Sequence, residues 1–92
     1  MIGLTAVRIY VRDGCHLCDE ALTEIHSLDG SSGGIEMEVV DIESDDRLLR
    51  RFLERIPVIE VGGEIVSELT FDRESFIGAL NRAAGDPAGY PE

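Results

Sequence analysis

The chain has 92 residues, of which 43% are hydrophobic and 29% charged, a balance typical of a folded globular domain rather than a disordered chain. Its formal net charge is −11, and all 8 of its Lys and Arg residues are arginines. This acidity argues against nucleic acid and anionic membrane surfaces as partners, because both require a basic face. No apolar stretch approaches the roughly 20 residues that a membrane span requires.

The length of the chain favours a single domain over residues 1–92, with its core at about 5–84 and a frayed tail at 86–92. The N-terminal stretch lacks the basic region and small-residue cleavage site of a signal peptide. We therefore expect a cytoplasmic protein, and we expect it to be a monomer. In that reducing compartment a close pair of cysteines is more often catalytic or metal-binding than a structural disulfide.

In chain order, the first predicted element is a strand at residues 5–11, whose nearly continuous apolar run suggests a central strand buried on both faces. A helix follows from residue 18, because its apolar residues recur three and four positions apart. Those residues are Ala21, Leu22, Ile25 and Leu28. A glycine-rich loop at 29–34 then precedes a strand at 35–39, where apolar residues alternate with glutamates as in a half-exposed edge strand.

The middle of the chain predicts a second helix and a hairpin. Ser44 or Asp45 can cap the helix. Its apolar stripe consists of Leu48, Leu49, Phe52 and Leu53. The strands predicted at 57–61 and 64–66 flank Gly62-Gly63, a two-residue turn that is typical of a hairpin.

A last helix begins at Thr70 or Asp72 and ends at Gly85 and Pro87. The element order is therefore βαβαββα. The first βαβ unit predicts a right-handed crossover between parallel strands, and the hairpin adds an antiparallel pair. We expect an α/β fold with one mixed sheet covered by helices.

The tetrapeptide Cys15-His16-Leu17-Cys18 contains the only 2 cysteines of the chain. It lies between the first predicted strand and the first predicted helix, a position in which C-x-x-C is typical of thioredoxin-like redox chemistry. If the helix begins at or just after Cys15, the free N–H groups of its first turn and its dipole stabilise a thiolate there and lower the pKa of that thiol. Cys18 then lies one turn further along the same side and can serve as the resolving thiol.

Basic residues occur on both sides of this motif in the sequence. Arg12 and a protonated His16 would lower the pKa of the Cys15 thiol, whereas His16 as a merely exposed loop residue would have no catalytic role. A second group consists of Arg47, Arg50, Arg51 and Arg55. These arginines form either the solvated face of an ordinary helix or a local basic rim around the thiols.

The cysteine pair has two other interpretations. In the first, the chain is a metal or iron–sulfur binding module that dimerises through its C-x-x-C, because tetrahedral zinc requires four ligands and one such motif supplies two. His26 cannot complete the set, since it lies about 12 Å further along the predicted helix. In the second, the chain is a partner-binding domain with idle thiols. The residues themselves indicate no metal site within one chain.

Residues 7–21, VRIYVRDGCHLCDEA, resemble the strand, active-site loop and helix of glutaredoxins. Arg55-Ile56-Pro57-Val58 is similar to the cis-proline segment of those proteins. Together with Arg55–Val58 and the Gly62-Gly63-Glu64 turn, the sequence at 14–21 most resembles the small bacterial glutaredoxin-like family of unassigned function. The resemblance covers roughly residues 5–84 of the chain.

This resemblance implies a thioredoxin-like fold with sheet order 2-1-3-4 and a thiol–disulfide oxidoreductase that reduces protein or small-molecule disulfides. It implies that Cys15 is the nucleophile and Cys18 the resolving thiol. Pro57 would be cis and lie against the disulfide, while Ile56 would present its backbone N–H and C=O groups to an extended substrate.

The resemblance also suggests how a substrate or reductant would bind. Arg12 stands where glutaredoxins often carry a lysine that contacts a carboxylate of glutathione, and Arg55 could assist it. Yet residues 66–72 lack the glycine pair that holds the γ-glutamyl end of glutathione, and Glu68 would repel that end. No cofactor site is expected, so electrons would come from an unidentified protein or thiol donor, of which glutathione is one candidate.

Overall fold

The structure, a computed structural model, describes residues 5–28 and 35–83. Its strands are β1 (Thr5–Val11), β2 (Ile35–Asp41), β3 (Val58–Val61) and β4 (Glu64–Glu68). Its helices are α1 (His16–Leu28), α2 (Asp46–Phe52) and α3 (Arg73–Ala83), and a short 3-10 helix at Ile42–Ser44, which was not predicted, precedes α2. The predicted loop at 29–34, the predicted helix end at Gly85 and Pro87, and the tail lie outside the described residues.

The described strands form one sheet in the order β2-β1-β3-β4, which confirms the predicted order and the thioredoxin-like arrangement. Strands β1 and β2 are parallel, as a βαβ crossover requires, while β3 is antiparallel to both β1 and β4. The predicted edge strand is β2, whose glutamates are exposed. The hairpin turn between β3 and β4 holds Gly62 and Gly63 at φ values of 59° and 90°, which glycine adopts without strain.

The register of the sheet brings several chain segments to one end of it. Val11, the last residue of β1, pairs with Asp41, the last residue of β2. Tyr10 pairs with Val58 at the beginning of β3, and Val58 pairs with Glu68 at the end of β4. The segments that follow β1, β2 and β4, and the segment that precedes β3, therefore meet at this end, which we call the thiol end.

The larger core lies between the sheet and the two longer helices. Strand residues Ile9 and Ile59 are fully buried against Ile25 of α1 and against Phe76 and Leu80 of α3. The spacing of the apolar residues in each helix directs them to this face, as the sequence predicted. This packing fixes the beginning of α1, and hence the cysteine motif, relative to the sheet.

The opposite face of the sheet is only partly covered. Tyr10 and Val58 pack there against Phe52, whose ring centroid is 4.5 Å from that of Tyr10. Helix α2 has 7 residues and so spans only about 10 Å of the sheet. As a result Ala6 and Arg8 of β1 are exposed, and the prediction that this strand is buried on both faces is wrong for its first half.

Two aspartates cap α2 and α3, which begin at the thiol end. The carboxylate of Asp45 accepts a hydrogen bond from the Arg47 N–H at 2.8 Å, and that of Asp72 accepts one from the Ser75 N–H at 3.1 Å. These backbone bonds lower the pKa of both carboxyl groups. Of the two candidates for each cap, the structure selects Asp45 and Asp72. Among the described residues no helix is long and apolar enough to cross a membrane.

Candidate redox site

The two cysteines lie at the beginning of α1, at the thiol end. A turn after β1 leads into the helix. In this turn Gly14 has a φ of 80°, and the Cys15 N–H donates to the Arg12 carbonyl at 3.2 Å. The Cys15 carbonyl then accepts the first helical bond, from the Asp19 N–H at 3.1 Å. The Cα atoms of Cys15 and Cys18 are 5.2 Å apart, and their sulfurs form a disulfide.

The environments of the two sulfurs differ. Cys15 is half-buried, whereas only 1% of Cys18 is exposed. The Sγ of Cys15 also accepts a hydrogen bond from the Cys18 N–H at 3.1 Å, one of the N–H groups that the first turn of a helix leaves free. Such a bond favours a thiolate on Cys15 once the disulfide is reduced. The accessible sulfur is thus the one that the helix end stabilises.

The Ile56-Pro57 segment borders the same end of the sheet. Its peptide bond is cis, Pro57 is fully buried, and the next residue, Val58, pairs with Tyr10 near the end of β1. The Leu69 N–H donates to the carbonyl of Pro57 at 3.1 Å and to that of Arg55 at 2.8 Å. The segment after β4 is therefore fastened to the proline segment.

The backbone of Ile56 differs from the expected arrangement. Its N–H donates to the Phe52 carbonyl at 3.1 Å and is therefore occupied within the chain. The prediction that Ile56 presents both backbone groups to a substrate is wrong for this N–H. Among the hydrogen bonds of the described residues, none engages the Ile56 carbonyl.

The predicted basic residues around the motif have carboxylate partners. His16 is 85% exposed, and its Nε2 lies 2.9 Å from Glu20 one turn along α1. The Arg12 Nε donates to Glu43 at 2.7 Å. The structure thus places both residues beside the cysteines and pairs each with an acid.

The arginines of the second helix have separate neighbours. Arg47 lies 3.6 Å from the capping Asp45, and the guanidinium carbon of Arg51 lies 4.7 Å from the centroid of the Phe52 ring. Arg55, beyond the helix, lies 3.8 Å from Glu68. Arg47 and Arg55 thus have exposed carboxylate partners, as on an ordinary solvated face, whereas Arg50 and Arg51 have none within 4.0 Å among the described residues.

The sequence did not indicate two features of the thiol end. Leu69 is 54% exposed and has a φ of 71°, a left-handed conformation that is unusual for a bulky residue. Leu17, between the cysteines, is 48% exposed and lines a shallow groove with Ala21 and Phe71. Nothing in the composition of residues 66–72 predicts the left-handed residue, since that stretch contains no glycine or asparagine.

The described residues bring no third potential metal ligand to the cysteines. Within residues 5–28 and 35–83, no group of three or more histidine, cysteine or acidic side chains has a geometry that could hold a metal ion. A metal shared between two copies of the chain would require ligands from both of them.

Comparison with protein families places the chain in a known group. A family model described as Glutaredoxin-like domain (DUF836) matches residues 6–81. The chain belongs to this glutaredoxin-like family. The matched range includes both cysteines, the Ile56-Pro57 segment and most of α3, so the geometry described above belongs to the family domain.

Solved structures share this fold. The solution NMR structure of protein Ne2328 from Nitrosomonas europaea matches with a TM-score of 0.74 and 25% identity, over 85% of this chain and 93% of that one. The X-ray structure of protein XcR50 from X. campestris matches with a TM-score of 0.66 and 28% identity, over 84% of this chain and 97% of that one. No curated protein matches the chain. The glutaredoxin-like domain of this chain is thus a thioredoxin-fold domain of the redox type.

Proposed function

We propose that this glutaredoxin-like domain is a thiol–disulfide oxidoreductase that reduces protein or small-molecule disulfides. The observation that carries the proposal is the unequal exposure of its cysteines. The Sγ of the half-buried Cys15 accepts a hydrogen bond from the Cys18 N–H at the beginning of α1, while the Cys18 side chain is fully buried. A disulfide that only stabilised the fold would not require an accessible sulfur.

In the proposed reaction the dithiol supplies two electrons to the substrate disulfide. The Cys15 thiolate attacks one substrate sulfur, the substrate S–S bond breaks, and the first substrate sulfur leaves as a thiolate that takes a proton from water. The Cys18 thiol then loses its proton and attacks the Cys15 sulfur of the mixed disulfide. This step forms the intramolecular disulfide and releases the second substrate thiol.

Arg12, His16, Arg55, Ile56 and Pro57 are proposed to contact the substrate around this sulfur. The buried Pro57 and the carbonyl of Ile56 offer an apolar surface and one backbone acceptor at the thiol end. An external protein or thiol donor is proposed to return the disulfide to the dithiol, and we place the reaction in a reducing compartment such as the cytoplasm. The domain is proposed to work as a monomer without a bound cofactor.

The midpoint potential of the Cys15–Cys18 pair tests this function. Free thiols would be counted by alkylation and mass spectrometry across a graded glutathione redox buffer. We expect one two-electron transition at roughly −200 to −270 mV, the range of glutaredoxins and thioredoxin. Thiols that never pair across the buffer range would overturn the proposed function. Cobalt or zinc bound at one ion per two chains would instead favour the metal module.

A further inference from the structure

Four basic side chains near the cysteines, or on the segments beside them, each have an acidic partner. Arg12 and Arg55, which border the motif and the proline segment, lie 2.7 Å from Glu43 and 3.8 Å from Glu68. His16 lies 2.9 Å from Glu20. Arg73, at the beginning of α3, lies 3.8 Å from Glu24. These four side chains are therefore already balanced by carboxylates, whereas Arg50 and Arg51 of α2 have no carboxylate within 4.0 Å among the described residues.

Several carboxylates at the same end have no such balance. Asp13 and Asp19 are exposed beside the cysteines, and within the described residues no arginine or histidine nitrogen lies within 4.0 Å of either. Together with Asp41 they line a shallow depression that also contains Cys18 and Arg12, and this arginine is paired with Glu43. A substrate that approaches the disulfide thus meets excess negative charge at close range.

The remainder of the chain adds to this field. The formal net charge of −11 gives the whole domain a negative potential, which slows the approach of anions and speeds that of cations. At physiological salt the screening length is about 8 Å, so the carboxylates beside the cysteines dominate over distant ones. The local and the global charges act in the same direction.

We propose that the redox site selects disulfides carried by basic polypeptide segments and disfavours anionic disulfides such as oxidised glutathione. The inference rests on the proposed oxidoreductase function and names its substrate class. Glu43 and Glu68 are specificity-determining residues in this scheme, because they neutralise Arg12 and Arg55, the arginines that border the cysteine motif and the proline segment.

A charge series of small disulfides tests the inference. Reduced wild-type protein would be mixed with oxidised glutathione, which is anionic, hydroxyethyl disulfide, which is neutral, and cystamine, which is cationic. Each single-turnover rate constant would be divided by that of free mercaptoethanol with the same disulfide, which removes differences in intrinsic reactivity. We expect cystamine to exceed oxidised glutathione by about tenfold or more at low ionic strength, and the ratio to shrink several-fold in about 0.5 M salt.

A pair of double variants locates the effect. Glu43→Gln with Glu68→Gln frees both arginines and should raise the normalised rate for oxidised glutathione relative to hydroxyethyl disulfide by about threefold or more. Glu36→Gln with Glu64→Gln removes the same charge from the other end of the sheet, where these residues pair with Ala6 and Val61. This control pair should change that ratio much less.

The outcomes separate the inference from the proposed function. Equal or faster normalised reduction of oxidised glutathione, or equal effects of the two double variants, would overturn the charge selection and leave the oxidoreductase intact. Failure to reduce any of the three disulfides would overturn the oxidoreductase itself, and the charge selection with it.

Discussion

The amide N–H of Cys18 points at the sulfur of Cys15, with 3.1 Å between nitrogen and sulfur. Cys15 immediately precedes α1 and Cys18 lies in its first turn. This first turn therefore positions the buried thiol and stabilises the exposed one. The roles of the two cysteines can therefore be separated by substitution.

Replacement of either cysteine should have a distinct effect. Cys15→Ser is expected to abolish disulfide reduction, because the accessible nucleophile is lost. Cys18→Ser should still attack but should accumulate a mixed disulfide, since no thiol remains to resolve it. Non-reducing electrophoresis and intact mass would show the trapped species. Unchanged activity in Cys15→Ser would contradict the mechanism.

The unequal burial of the sulfurs should appear in their alkylation. In the reduced native protein, iodoacetamide is expected to modify Cys15 at least about tenfold faster than Cys18, which is only 1% exposed. Peptide mapping by mass spectrometry after short exposures would give both rates. The protein in urea serves as the control, since the difference should disappear when the chain unfolds. Equal rates under native conditions would show that Cys18 is not protected.

The cap of α3 should contribute a pH-dependent part of the stability. Because the Ser75 N–H and hydroxyl hold the pKa of Asp72 below its ordinary value of 3.8, the ionised carboxylate stabilises the folded state above that value. The contribution is lost as the pH falls through the lowered pKa. As the pH is lowered from about 6 to about 2.5, the urea concentration at the unfolding midpoint should therefore decrease in the parent protein. It should decrease less in Asp72→Asn. Identical falls in parent and variant would contradict this role.

A second variant separates the two bonds to this carboxylate. Ser75→Ala removes the hydroxyl donor and keeps the backbone N–H donor, which is the larger cause of the lowered pKa. We expect Ser75→Ala to keep most of the pH dependence of the parent. Urea titrations over the same pH range would measure it.

Replacement of Leu69 by glycine should cost less stability than the same replacement of an ordinary exposed leucine. The Leu69 φ of 71° is unfavourable for a side chain with a Cβ by roughly 1–2 kcal/mol, a cost that glycine avoids. Leu69→Gly should therefore change the free energy of unfolding by less than about 1 kcal/mol, because relief of this cost offsets the lost contacts and the greater freedom of the unfolded chain.

Leu53→Gly is the matched control for that substitution. Leu53 is 42% exposed, close to the 54% of Leu69, but has an ordinary helical φ of −52°. Glycine there gains no relief and should destabilise the protein by about 1–2 kcal/mol. Chemical denaturation of the two variants would measure the difference, and a larger loss in Leu69→Gly than in Leu53→Gly would contradict the argument.

The sequence by itself predicted the features that depend on neighbouring residues. The apolar spacing in α1 and α3, the Gly62-Gly63 turn and the position of the C-x-x-C between strand and helix are all local patterns, and each corresponds to an element of the structure. The strand order β2-β1-β3-β4 was instead expected from the resemblance to glutaredoxins, because a βαβ crossover and a tight hairpin do not by themselves fix where the hairpin joins the sheet.

Only the tertiary structure decided which groups meet at the thiol end. Arg12 and Glu43 are separated by 31 residues along the chain, and no local pattern predicts their 2.7 Å contact. The exposure of Arg8 follows from the short reach of α2, and the Leu69 N–H bonds two carbonyls of a distant segment. Backbone periodicity repeats within a few residues and can be recognised in a sequence. Pairing across the fold depends on the register of whole strands, and so the charges around the thiols became visible only in three dimensions.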